Sequence, residues 1–315
     1  MYPSFEPRSV AVIGAGAVGT YYGAVLARSG VDVVLVGRTP HVEAIQRAGA
    51  VVVEADGEWR AEARAVRDVA AAADADVILV AVKSPDTAPA ARSLAAHLSP
   101  RARIVSLQNG VDNAERIAAV LPNPVCAAVV YLGAYMEGPG RVRHTGRGDL
   151  VIGVPRALVR EGAREGDLRA IAAMFERAGI ACPVSSDIEA ALWTKLTINC
   201  AYNAISALGR ARYGRMIVDA EVRAVMEAAV RETVAVARAS GIDVAVDALL
   251  EATWKVGEAM TGQYSSTAQD VERGRPTEID ALNGLVARRG AELRIATPVN
   301  HTLHALVKLR ESGTL

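Results

Sequence analysis

This 315-residue chain has no net charge, only three cysteines and four lysines, and no long apolar run, and each shortage excludes something. With Lys+Arg 35 against Asp+Glu 35, bulk attraction to nucleic acid or to an anionic membrane is not expected. No segment reaches the roughly 18 unbroken apolar residues of a membrane span. Residues 1–8 lack the basic-then-apolar pattern of a secretory signal. Cys126, Cys182 and Cys200 are odd in number and apolar in surroundings, so they read as reduced core thiols of a cytoplasmic protein. No metal site is expected: His301 and His304 lie three apart, but His41, His97 and His144 offer no evident third ligand. The lysines are Lys83, Lys195, Lys255 and Lys308, in a chain whose default cation is arginine. A lysine set in an apolar segment therefore marks a place where ammonium chemistry is wanted.

Lys195 is such a lysine. It opens the row Lys195, Asn199, Asn203, in which each residue stands four after the last, so the three side chains share one helical face. Leu192, Trp193, Leu196, Ile198, Cys200, Ala201, Ala204 and Ile205 surround them, and a helix apolar nearly all round is a buried one. A buried ammonium needs a partner and buried amides need hydrogen bonds. The row reads as a polar track lining a cleft and aimed at a small polar ligand. The plainer alternative is a lysine reaching to water beside two neutral amides.

The first half of the chain alternates apolar runs at 9–13, 31–36, 77–82 and 104–107 with helical patterns at 17–30, 85–98 and 112–120. Such alternation predicts parallel βαβ units and a doubly wound sheet. From 125 to 154 the period becomes two, with turn signals at Gly138-Pro-Gly140 and Gly146-Arg-Gly148, which predicts an antiparallel extension. A helix over 166–178 and an apolar run over 180–184 complete this half. Beyond Asp187 only helical patterns remain, over 188–208, 217–240, 246–260, 278–292 and 298–310. The expected organisation is a Rossmann-type α/β domain over 1–186 and an all-helical domain over 187–315.

Between the first strand and first helix stands Gly14-Ala15-Gly16-Ala17-Val18-Gly19. Gly14 permits the tight turn, Gly16 lets a pyrophosphate approach the backbone, and Gly19 allows close helix–strand packing, with the helix N-terminus facing the phosphates. In this strand–turn–helix context the pattern predicts a dinucleotide site. The second strand ends in Gly37-Arg38 where NAD sites usually carry an acid. A guanidinium there suits a 2′-phosphate, so NADPH/NADP+ is the expected cofactor. A surface arginine in a loop is the alternative.

Lys83 and Asn109 fall where two further strands end, the edge at which open α/β sheets bind ligands, although Lys-Ser-Pro and Asn-Gly are also ordinary strand exits and turns. In the helical half, Ser265 and Ser266 precede a helical pattern and one of them can serve as its cap. Glu278 opens another such pattern with apolar residues after it, and is the candidate carboxylate for Lys195.

Together these segments resemble the ketopantoate reductase (2-dehydropantoate 2-reductase) family. The resemblance spans roughly residues 10–310 and rests on Gly14 to Gly19, Val82-Lys83, Leu107-Gln-Asn109-Gly110, the Lys195 row, Ser265-Ser266-x2-Gln269-Asp270 and Thr277-Glu278-Ile-Asp280. It implies NADPH-dependent reduction of a 2-oxo acid, 2-dehydropantoate, to (R)-pantoate. It also implies roles: Lys195 and Glu278 catalytic; Asn199, Asn203, Ser266 and Asn109 toward substrate; Arg38, Lys83, Asn109 and Glu278 toward cofactor, with the glycine loop. A homodimer is compatible with it. One departure stands out: some members carry an asparagine shortly after the row's helix, where this chain has Arg210-Ala-Arg-Tyr213-Gly214. Alternatives are a reductase of another branched 2-oxo acid, a β-hydroxyacid dehydrogenase-like enzyme, and a non-catalytic NADPH sensor.

Overall fold

The structure is a computed structural model that describes residues 5–159 and 165–313. Residues 1–4 of the stretch inspected for a signal lie outside the described part. The first part runs β1 (Ser9–Ile13), α1 (Ala17–Arg28), β2 (Asp32–Val36), α2 (Thr39–Ala48), β3 (Ala50–Glu54), β4 (Gly57–Ala61), β5 (Arg64–Val66), β6 (Val77–Val80), α3 (Thr87–Leu94), β7 (Arg103–Ser106), α4 (Asn113–Ala118), β8 (Val125–Gly138), β9 (Arg141–Gly153) and α5 (Glu165–Arg177). One nine-stranded sheet takes the order β4-β3-β9-β8-β7-β6-β1-β2-β5. From β5 through β2, β1, β6 and β7 to β8 the pairs are parallel, and β9 then runs antiparallel to β8. The doubly wound sheet and its antiparallel extension are both present. β1, β2 and β6 are built almost entirely from Val, Ile, Leu and Ala, and they are buried nearly throughout, as parallel strands covered on both faces must be. Val12, Leu35, Leu79 and Val105 from the strands join Tyr22 and Phe175 from the helices in one core.

Three local expectations change here. Gly146-Arg-Gly148 is not a turn, because β9 continues through it. Arg147 at φ 52° and register shifts between Tyr131/Leu132 and Gly133/Ala134 mark bulges, which admit glycines without ending a ladder paired on both sides. The run 180–184 yields only the bridge Ile152↔Val184, because Pro183 cannot donate to a ladder. The strands β3, β4 and β5 were not anticipated, although Asp56-Gly57 between β3 and β4 is a known hairpin signal.

The second part is α6 (Ile188–Gly209), α7 (Tyr213–Val218), α8 (Ala220–Ala239), α9 (Val246–Ala259), α10 (Ser266–Glu272), α11 (Asn283–Leu293) and α12 (Pro298–Ser312), with no strand among the described residues. The helix expected over 217–240 is interrupted at Asp219, whose carboxylate caps α8 by accepting from the backbone N–H of Glu221 and Val222, each at 3.1 Å. The helix expected to open at Glu278 starts at Asn283 instead, after a single 3₁₀ turn over Ile279–Ala281. Thr277 Oγ1 accepts from Ile279 N–H at 3.2 Å, a side-chain turn that competes with helical pairing. Trp193, Leu196, Cys200 and Tyr202 of α6 pack with Met226, Val230, Leu249 and Leu285 in this part's core. No helix among the described residues is long and apolar enough to cross a membrane.

Packing divides the chain into two compact units, Met1–Gln108 with Asp112–Ile188, and Asn109–Val111 with Glu189–Leu315. Asn109 therefore belongs to the second unit.

Candidate active site

In the first unit the glycine loop has the geometry a phosphate cradle requires. Gly14 has φ 113°, and a Cβ there would lie 2.8 Å from the backbone of Ala81 and Val82. A Cβ on Gly19 would run into the carbonyl oxygen of Gly14, so the helix can approach the turn only as glycine. At Gly16, by contrast, a Cβ would meet nothing within 4 Å. The open side of the loop lies there, and Gly16 is also the N-cap of α1, with no side-chain cap and no acid in the first turn. Uncapped N–H groups beside an open face suit an anion. Ala15, Ala17 and Val18 complete the loop, Ala15 buried and the other two half-buried.

Arg38 is held next to this loop. A Cβ on the preceding Gly37 would lie 2.6 Å from the Ala15 methyl, and Gly14 N–H donates to the Val36 carbonyl at 2.9 Å. Arg38 itself is exposed and is the N-cap of α2. β5 ends at Val66 opposite Val36 and delivers a second exposed guanidinium, Arg67, to the same edge. Nothing singled out Arg67 in the sequence, because a three-residue strand carries almost no periodic signal.

Lys83 follows β6, and the loop it stands on is locked from below. Gln108 Nε2 donates to the Val82 carbonyl at 3.0 Å and to Thr87 Oγ1 at 2.7 Å. The Thr87 hydroxyl lies 2.8 Å from the Ser84 carbonyl and 2.9 Å from Asn113 Oδ1, and Asn113 Nδ2 donates to Ser84 Oγ at 3.2 Å. Buried polar side chains whose bonds are all met fix one backbone path. This network holds the residues on either side of Lys83 and the residue just before Asn109.

In the second unit three sequence-predicted residues meet. Lys195 Nζ, half-buried on α6, donates to Asn109 Oδ1 at 2.8 Å. Asn109 Nδ2 donates to Glu278 Oε2 at 3.0 Å. The amide thus turns its oxygen toward the ammonium and its N–H toward the carboxylate, the only orientation that satisfies both charges. Asn109 was placed by sequence on the ligands; the geometry adds a link between the two charged residues, which only tertiary structure could reveal.

Asn199 and Asn203 lie one and two turns along α6 from Lys195. Asn203 is only 3% exposed, and Asn199 is half-buried, yet neither side chain bonds to another described residue. The Asn203 carbonyl accepts from Ser265 Oγ at 3.1 Å, while Ser265 caps α10 by accepting from Ala268 N–H at 3.0 Å. Ser265 is therefore the structural serine. Ser266, the first residue of α10, stands next to it and is exposed. Tyr213 is no counterpart of a substrate amide: it is buried, its ring lies 4.2 Å from that of Tyr202, and its N–H donates to the Gln263 carbonyl at 3.0 Å. Cys126, Cys182 and Cys200 are free and buried, and burial pushes the Cys126 and Cys182 thiols up to about 12, which leaves them inert.

A glycine-rich phosphate cradle on a doubly wound sheet and a lysine–amide–carboxylate chain on a helical unit define a nicotinamide-dependent oxidoreductase. The profile described as Ketopantoate reductase PanE/ApbA matches residues 10–157, and that described as Ketopantoate reductase PanE/ApbA C terminal matches residues 187–311. The chain belongs to the ketopantoate reductase family. It is 35% identical over 305 residues to the 2-dehydropantoate 2-reductase of Halobacterium salinarum, covering 96% of this chain and 98% of that one. The crystal structure of a PanE/ApbA family ketopantoate reductase from Ralstonia eutropha JMP134 superposes with TM-score 0.89 at 44% identity, covering 96% and 98% of the two chains. A D-mandelate dehydrogenase in complex with NADH and anilino(oxo)acetate reaches TM-score 0.90 at 23% identity over 96% and 98%, a likeness of fold alone.

Proposed function

We propose that this chain catalyses the NADPH-dependent reduction of 2-dehydropantoate to (R)-pantoate, a step of pantothenate and coenzyme A biosynthesis, in the cytoplasm. In this reading residues 1–186 hold the cofactor and residues 187–315 hold the substrate. The observation that carries it is the Lys195–Asn109–Glu278 chain beside two amides, Asn199 and Asn203, that no described residue engages.

NADPH, when bound, supplies the hydride. The N–H groups around Gly14 to Gly19 would hold its pyrophosphate, Arg38 its 2′-phosphate, and Lys83, which follows β6, would face its nicotinamide end. Hydride arrival at a ketone carbon leaves charge on the oxygen. Lys195 answers that charge, first as a hydrogen-bond donor and then as the proton source. Asn109 holds the ammonium in place through its amide oxygen, and Glu278 in turn holds the Asn109 amide. Asn199, Asn203 and Ser266 would bond the substrate's carboxylate and hydroxyl without adding net charge, so the ammonium stays the dominant local field.

The test is a substrate panel. NADPH oxidation should proceed with kcat/KM for 2-dehydropantoate well above that for 2-oxoisovalerate and oxaloacetate. Oxidation of 3-hydroxy acids in preference to reduction of 2-oxo acids would instead identify a β-hydroxyacid dehydrogenase-like enzyme. NADPH binding with no turnover on any of them would point to a sensor.

A further inference from the structure

We infer that His304, Lys308 and Glu311, on one face of α12, are positioning residues for the carboxylate of Glu278; the inference rests on reading Glu278 as the partner of Lys195. Glu278 stands outside regular helix, as the residue before a one-turn 3₁₀ segment. Such a position has little intrinsic rigidity, and a long flexible side chain on a loose backbone would not stay 3.0 Å from Asn109 without support. The backbone on both sides of it is tied to the same helix. On one side, Thr277 N–H donates to Glu311 Oε1 at 2.7 Å. On the other, the Asp280 carboxylate accepts from His304 Nε2 at 2.6 Å and from Lys308 Nζ at 2.9 Å. Lys308 closes the loop by pairing with Glu311 Oε2 at 2.8 Å. Residues 304, 308 and 311 follow the i, i+4, i+7 spacing that aligns side chains along one face.

The anchor itself is fixed. Glu232 of α8 accepts from the N–H groups of Val299 and Asn300 at 2.8 and 2.9 Å, which caps the N-terminus of α12. Asn300 Nδ2 donates to the Ala229 carbonyl at 3.1 Å, and Asn283 Nδ2 donates both to Asn300 Oδ1 at 2.9 Å and to the Cys200 carbonyl of α6 at 3.0 Å. The helix that carries Lys195 and the helix that steadies Glu278 are thereby joined through buried amides. Displacing the 277–280 backbone would move the carboxylate away from Asn109 and loosen the ammonium at the far end.

The test uses the full-length enzyme with NADPH and 2-dehydropantoate, and measures Lys308→Met in the wild-type and Glu278→Gln backgrounds. In the wild-type background kcat should fall about 10-fold, short of the roughly 100-fold that a 1 Å misplacement can produce. NADPH affinity should hold within about 2-fold, and Lys308→Arg should recover much of the rate. In the Glu278→Gln background the same change should lower kcat by less than about 2-fold, because the group being positioned is already gone. Glu311→Ala, which removes the acceptor of Thr277 N–H, should show the same dependence on background, so the result does not hang on one variant folding. Equal losses in both backgrounds, or normal kcat in both variants, would overturn the inference and leave the cluster a cross-link of stability only. Unchanged kcat in Glu278→Gln alone would overturn the reading of Glu278, and the inference with it.

Discussion

A lysine among apolar neighbours persists only where its charge is answered, and Lys195 is answered by a neutral amide with a carboxylate behind it. The amide row on α6 carries the corresponding prediction for substrate. Asn199→Ala or Asn203→Ala should raise KM for 2-dehydropantoate far more than it changes NADPH affinity; a variant losing both together would mean that the amides support structure. For the cofactor the residue is Arg38. Arg38→Ala should weaken NADPH binding by about 1.5–3 kcal/mol, the range for hydrogen bonds to charged groups, and should leave NADH almost untouched. Equal loss for both cofactors, measured by titration, would remove the case for a 2′-phosphate contact. Much at this scale was legible in the sequence, because spacing alone sets Lys195, Asn199 and Asn203 on one face and strand–turn–helix context gives Gly14 to Gly19 a meaning. What stayed hidden depends on chain segments meeting in space: the amide bridge of Asn109, which of the two candidate serines is the cap, and Arg67 at the end of β5.

At the scale of elements, α12 shows how a surface-looking helix face can bear on a site. Asp280 is held below the usual carboxylate range: burial pushes it up, and hydrogen bonds from His304 and Lys308 together with their charges outweigh that. Glu311 is likewise lowered against its burial, by Lys308 and Thr277 N–H. Carboxylates depressed in the folded state add stability that is complete above their unfolded values near pH ~4 and is lost as pH falls through the lower folded values. The thermal midpoint should therefore drop on acidification below about pH 4, and Lys308→Met should flatten that drop. An unaltered acid limb in the variant would show that the cluster is not coupled to folding. Long periodic elements such as α6 and α9 were readable because their burial pattern repeats over many turns. The β3–β4 hairpin, the three-residue β5 and the break at Asp219 were not, because short strands give few repeats and a single capping carboxylate outweighs an uninterrupted apolar pattern.

At the scale of the molecule, the proposed function assigns the cofactor to the doubly wound unit and the proton donor to the helical unit. The division gives the most direct test, because the two affinities can be measured apart. Lys195→Ala should bind NADPH almost as the native enzyme does, since the proposed function assigns the pyrophosphate to the Gly14–Gly19 loop and the 2′-phosphate to Arg38. Its kcat for 2-dehydropantoate should fall by roughly 10²–10⁴-fold, the usual worth of a positioned general acid, and added small primary amines should restore part of it. A folded Lys195→Ala enzyme that binds NADPH and turns over 2-dehydropantoate at a near-native rate would contradict the assignment of Lys195 as the proton donor.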